Sequence, residues 1–239
     1  MRLDDIVRSE RYFTATLLPL ILFQRCGKDW NGLHRFVALL REKYLTEKCP
    51  DGFQRNGQRI PFPEALPSFD AVGGLDPQII TEFHIKRDLL FSRPTLFQQA
   101  DLADEEDRER RDAPDLVVIV NQRASVCEGK FFTTGNAQQL NPQLASQRLQ
   151  LEHLFLADES LKSYVQVALV PGSAKKANKG DYDCCVLTWE EIRDLSLSKP
   201  VMKDCNYVAE RLTVALELLE AQKGIRWCRI TTRSLTLTV

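Results

Sequence analysis

The stretch Pro114-Asp115-Leu116-Val117-Val118-Ile119-Val120-Asn121-Gln122-Arg123-Ala124-Ser125-Val126-Cys127-Glu128-Gly129-Lys130 decides how this chain folds. Residues 116–120 are an apolar, β-branched run, and residues 125–132 are a second extended segment. Residues 121–124 between them are turn-like, so the stretch predicts a β-hairpin. With Val120 facing Ser125, antiparallel partners keep a constant sum of positions. Asp115 then stands opposite Lys130, and Val117 opposite Glu128. Side chains two apart leave the same face of a strand, so Asp115, Glu128 and Lys130 converge. Val117, Ile119, Val126 and Phe132 share that face and give the charges an apolar setting.

Two carboxylates and one ammonium so arranged make a divalent-cation site with a neighbouring positive charge. Carboxylate oxygens suit Mg²⁺ or Mn²⁺, ions that keep several waters and also bind phosphate. The alternative for the same residues is a structural ion-pair cluster, or an edge strand carrying charges against aggregation. The spacing itself is informative. Among the 33 acidic residues of the chain, a single one begins an acidic-x-Lys triplet, and it lies on the second strand of a hairpin whose first strand opens with Pro-Asp.

Pro114-Asp115 followed by Glu128-Gly129-Lys130 resembles the PD-(D/E)XK nuclease superfamily, also called restriction endonuclease-like. The resemblance implies Asp115 and Glu128 as metal ligands, Lys130 as the catalytic lysine, and Mg²⁺ or Mn²⁺ as cofactor. It also implies an acidic residue on the helix before the core sheet, and Glu82 is the matching position. Gln143 and Gln147 match the polar residues that many members carry beside the active site on the helix after the hairpin.

Composition sets the wider limits. The chain has 239 residues, 44% hydrophobic and 27% charged, with a net charge of -1, which describes a globular protein able to bury a large core. Near-neutral charge means that any nucleic acid must be held by local basic patches. Seven cysteines, an odd number without a C-x-x-C pair, argue against a disulfide framework or a zinc site and for reduced thiols. His34, His84 and His153 are scattered, which disfavours a histidine-based metal centre. The amino terminus carries Asp4 and Asp5, and the apolar stretch 15–23 is short and contains Pro19; a cytoplasmic protein with no membrane partner is expected.

In chain order, residues 1–46 read as two helices, the first kinked or divided at Pro19, the second buried through Leu33, Phe36, Val37 and Leu40. Residues 49–69 are rich in turn formers and read as a connection. Asp76-Pro77 is a cap-plus-proline signal for a helix to about Ser92, on which Glu82 shares a side with Ile79, Ile85 and Leu89. Leu96-Phe97 offers a short first strand. Residues 101–112, with seven acidic residues and three arginines, read as a solvated loop.

Asn141-Pro142 signals a helix to about Ala157, with Gln143 and Gln147 four apart. Residues 164–170 form the return strand. Lys175, Lys176 and Lys179 then lie in a small-residue loop, the best local patch for phosphate contact. Thr188-Trp189-Glu190-Glu191 is a capping box, and residues 203–223 form a long amphipathic helix that either buries against the core or provides a dimer seam. The tail 225–239 alternates like a strand.

The expectation is therefore an α/β protein with a restriction endonuclease-like core (αβββαβ, a central mixed sheet flanked by helices). Residues 1–72 would be a helical extension with a Pro/Gly-rich connection, and 73–239 the nuclease-like domain. The resemblance implies an Mg-dependent endonuclease acting on DNA, with RNA an open alternative, in restriction, phage defence or repair, as a homodimer or with a partner subunit. The rival reading is a non-catalytic nucleic-acid-binding or scaffolding protein that keeps the fold.

Overall fold

The computed structural model describes residues 12–24, 31–66, 77–81, 113–131, 136–157, 159–177, 181–197 and 203–223. Glu82, Lys179, Leu96-Phe97, the charge run 101–112 and the tail 225–239 lie outside them.

Pro19 acts on the first helix as its chemistry requires. A turn with π-helical bonding at Phe13–Leu17 precedes helix α1, Leu18–Leu22, so the chain meets the missing proline N–H by widening the turn before it. Helix α2 spans Asn31–Glu47 and ends at Lys48, whose φ of 51° takes the chain out of the helix. The segment read as a connection is instead built into the sheet. Strands β1 (Gly52–Gln54) and β2 (Arg59–Ile60) form a small hairpin turned by Gly57 at φ 72°, and β1 pairs with residues 163 and 164. A short helix α3, Phe62–Ala65, follows.

The helix expected from Asp76 is not formed where it is described. Gln78–Thr81 is strand β3, antiparallel to β4, Leu116–Val120. Ile79, Ile80 and Thr81 are β-branched, and the edge of β4 pairs in register with each residue of the run, so pairing overrides the local cap signal.

The hairpin is present with a tighter register than the sequence suggests. Val120 faces Arg123, not Ser125, and strand β5 spans Arg123–Gly129. The turn is the pair Asn121-Gln122, with φ of 50° and 65°, both left-handed as in the two-residue turn whose twist matches the strands. Val117 therefore faces Val126, and one step beyond the ladder Asp115 comes across from Glu128 instead of Lys130. The correction is by two residues, an even number, so each side chain stays on its expected face.

Helix α4, Ala137–Ala157, begins earlier than Asn141-Pro142. Asn136 accepts the Gln138 N–H through Oδ1 at 2.9 Å, and Pro142 lies inside the helix. Asn141 serves elsewhere, donating to Asp181 O at 2.8 Å and accepting from Asp183 N at 3.1 Å. Strand β6, Ser163–Val170, runs parallel to β5, so α4 is the crossover between them. Helix α5 (Gly172–Ala177), strand β7 (Cys185–Thr188), helix α6 (Trp189–Leu197) and helix α7 (Lys203–Lys223) complete the described chain. The capping box at α6 forms in both directions: Thr188 N donates to Glu191 Oε2 at 2.7 Å, and Glu191 N donates to Thr188 Oγ1 at 3.2 Å.

The result is an α/β architecture with a seven-stranded mixed sheet in the order β2-β1-β6-β5-β4-β3, with β7 beside the carboxyl half of β6. Its two faces are buried differently. Leu116, Val118, Val120, Cys127, Val165, Val167 and Leu169 pack with the helices α1, α2, α6 and α7. The apolar stripe of α7 (Val208, Leu212, Ala215, Leu216) is consumed there, which answers the choice between core and dimer seam in favour of the core. The other face carries Val117, Ala124, Val126 and Tyr164 beneath Leu151 and Phe155 of α4. Asp115, Glu128 and Lys130 belong to this second face by strand parity.

Candidate functional site

Glu128 is the centre of the site. It stands next to last on β5 and is 2% exposed, so its carboxylate oxygens need hydrogen-bond partners inside the protein. Lys130 Nζ and Gln143 Nε2 each donate to Oε1 at 2.7 Å, and Gln147 Nε2 donates to Oε2 at 2.7 Å. Gln143 and Gln147 are one helical turn apart and so reach the same carboxylate from α4. Asp115 is tied to the same strand through its main chain: Oδ2 accepts the Gly129 N–H at 2.9 Å.

Gly129 faces the opposite side, and there no side chain fits. A Cβ at this position would come within 2.2 Å of Thr14 Cγ2 and 3.2 Å of Trp189 Cζ2. The π-helical turn thus lies directly behind the site and presses on the residue between Glu128 and Lys130. The Lys130 backbone is fixed from two more elements. Its N–H donates to Leu169 O of β6 at 2.8 Å, and its carbonyl accepts from Trp189 Nε1 at 3.0 Å. Phe131 next to it stacks on Phe13 with ring centroids 3.8 Å apart. Trp189 and Phe13 are residues of the site's framework that sequence reading does not single out. An aromatic next to a charged motif is the only local signal, and it does not name its partner.

The acidic character extends across the sheet. Cys127, wholly buried on the helix-packed face, has its thiol pushed far up by burial, with the charges of Asp115 and Glu128 adding to the effect. It is a packing thiol, not a nucleophile.

Gln147 offers a further feature. While its amide N–H₂ serves Glu128, its Oε1 is buried with no hydrogen-bond partner. Asp115 and Glu128 offer carboxylate oxygens and Gln147 an amide oxygen, the donor types that Mg²⁺ or Mn²⁺ takes. Among the described residues no three His, Cys, Asp or Glu side chains gather where they would hold a metal ion, and Glu82, the third acid expected here, lies outside those residues.

Two of the three lysines expected in a basic loop stand elsewhere. Lys175 and Lys176 are on α5, and Lys175 Nζ bonds Glu47 Oε2 at 2.5 Å and Val186 O at 3.2 Å. Its charge is therefore engaged by α2, because the sheet brings the end of α2 against β7. Arg148 of α4 is likewise structural: it lies 4.6 Å over the Phe53 ring, donates to Gln166 Oε1 at 2.5 Å and pairs with Asp183 at 2.6 Å. No helix among the described residues is long and apolar enough to cross a membrane. No family model, curated protein or solved structure matches this chain.

Proposed function

We propose that this chain is a metal-dependent nuclease with a restriction endonuclease-like core, hydrolysing phosphodiester bonds of DNA. One observation carries the reading: a buried glutamate on the second strand of the hairpin touches the lysine two residues on, while the aspartate from the start of the first strand bonds the glycine between them. The antiparallel run β3, β4, β5, followed by the crossover α4 and a parallel β6, supports the same reading of the fold.

Asp115 and Glu128 would hold Mg²⁺ or Mn²⁺, with Glu82 as a further acid; when bound, the ion supplies a water of lowered pKa and stabilises charge on the phosphate. Lys130 would keep an ammonium at the attacked phosphate, orienting a water or neutralising developing charge. Gln143 and Gln147 would hold the Glu128 carboxylate in one orientation. Lys176 and Lys179 remain candidates for phosphate contact, and Lys175 would first have to leave Glu47. One such site cuts one strand, so a double-strand break would need a homodimer or a partner subunit. Restriction, phage defence or repair are the settings that the family resemblance suggests.

A second reading has its own observation. Glu128 already accepts hydrogen bonds from Lys130, Gln143 and Gln147, as in a purely structural cluster of a non-catalytic nucleic-acid-binding or scaffolding protein. Supercoiled plasmid and single-stranded DNA incubated with Mg²⁺, Mn²⁺ or EDTA separate the two. The nuclease nicks only with metal, and Glu128→Ala and Lys130→Ala each lose that activity while remaining folded. DNA binding that is indifferent to EDTA, with no nicking by the wild type, favours the second reading.

A further inference from the structure

At the far edge of the sheet, away from the β4–β5 hairpin, Cys49 leaves the end of α2 and meets Cys185, the first residue of β7. Their sulfurs are 3.0 Å apart and both are thiols. The two differ in access. Cys49 is half-buried and lines a cavity of about 590 Å³ whose wall also holds Glu47, Lys175, Lys176 and Tyr182, whereas Cys185 is 1% exposed. Cys184 also borders the cavity, but strand alternation sends it to the α4 face, into a cluster with Ala168 and Val186.

We infer that Cys49 is an oxidation site for hydroperoxides, with Cys185 as its resolving thiol. The sulfur of Cys49 attacks the O–O bond of the peroxide and takes one oxygen as a sulfenic acid; the other oxygen leaves with a proton as water or an alcohol. Cys185 Sγ then attacks the Cys49 sulfur. The S–O bond breaks, hydroxide departs with the Cys185 proton as water, and an S–S bond remains. Two thiols lose two electrons and one peroxide gains them.

The surroundings suit each role. The hydrogen bond with Cys185 holds the Cys49 thiol below its usual range; burial and Glu47 oppose this, and the ammoniums of Lys175 and Lys43 assist. That favours the nucleophilic form at the accessible sulfur. Cys185 has its thiol raised by the same hydrogen bond and by burial, so its sulfur attacks as its proton passes to the departing hydroxide. Closing 3.0 Å to a bond of about 2.05 Å needs only a small shift, at a point where the chain has just left its helix. The bond would join the end of α2 to β7 across 136 positions of sequence and could be reopened by a dithiol.

This inference stands apart from the nuclease reading, and mapping of thiols in the intact protein tests it. The reduced chain is treated with hydrogen peroxide, alkylated, digested and analysed by mass spectrometry. A peptide pair linked through Cys49 and Cys185, lost on adding dithiothreitol, is expected. In Cys185→Ala, Cys49 should instead accumulate a dimedone adduct. Without peroxide, iodoacetamide should label Cys49 about tenfold or more faster than Cys127. A Cys49 that stays fully alkylatable after peroxide, or that links to Cys184 or to a second chain, overturns the assignment.

Discussion

Gln147 Nε2 stands 2.7 Å from Glu128 Oε2, while Oε1 of the same amide is buried without a partner. One side chain thus satisfies a buried charge and carries an unmet need of its own. Gln147→Leu removes both. A hydrogen bond to a charged group contributes about 1.5–3 kcal/mol, and loss of the partnerless oxygen returns part of it, so a net destabilisation of about 1–2 kcal/mol is expected in urea unfolding. Gln147→Glu, which sets a second carboxylate against Glu128, should cost about 3 kcal/mol or more at neutral pH and less in acid. Equal losses for the two variants would show that Gln147 does not support the Glu128 charge.

Gly129 is required by the turn behind it. Gly129→Ala would drive a methyl group against Thr14 Cγ2, 2.2 Å away, and overpacking of this kind costs about 1–3 kcal/mol. Thr14→Ser deletes that methyl, so the double variant should regain part of the loss. A cycle in which the two changes simply add would refute the contact.

The hairpin turn is not optimised. Gln122 adopts φ 65° with a side chain that disfavours it, and the Lys162 N–H bonds only its main-chain carbonyl, at 2.7 Å. Gln122→Gly should therefore stabilise the fold by about 0.5–1 kcal/mol, and Gln122→Val should weaken it. Thermal melts of the pair in the opposite order would contradict the left-handed turn.

Acid should weaken the α2–β7 edge through Glu47. Burial would raise its carboxyl, but hydrogen bonds from Lys175 at 2.5 Å and Lys43 at 2.7 Å outweigh burial and hold it below its ordinary value. A folded value below the unfolded one means that the stabilisation is present above about pH 4.3 and is lost as pH falls through the folded value. Urea midpoints recorded from pH 6 down to 3 should fall more steeply for wild type than for Glu47→Gln; superimposable curves would remove Glu47 from the acid response.

Arg148 and lysine are not equivalent at this position. Its guanidinium lies over Phe53 and reaches both Gln166 and Asp183, a combination that needs a flat, forked donor. Arg148→Lys is expected to destabilise by about 1–3 kcal/mol in chemical unfolding, close to the loss for Arg148→Met. Full retention of stability by the lysine variant would reduce the contact to simple charge pairing.

The features that the amino-acid order determines by itself are those whose energies are local. The β-branched run of β4, the face shared by Asp115, Glu128 and Lys130, the Thr188–Glu191 capping box and the apolar stripe of α7 all follow from periodicity or from groups within one turn of each other. Even the misplaced register preserved the face, because strand alternation forgives an error of two. Tertiary structure decided the rest. Gln78–Thr81 is a strand because β4 offers an edge, against a capping signal that reads as helix. The buried oxygens of Glu128 find their hydrogen bonds on another element, from Gln143 and Gln147, and Lys130 keeps its place through Trp189. Cys49 and Cys185 meet only because α2 ends against β7. Each of these contacts gains its free energy from excluding water between distant segments, and no window of neighbouring residues contains both sides of that exchange.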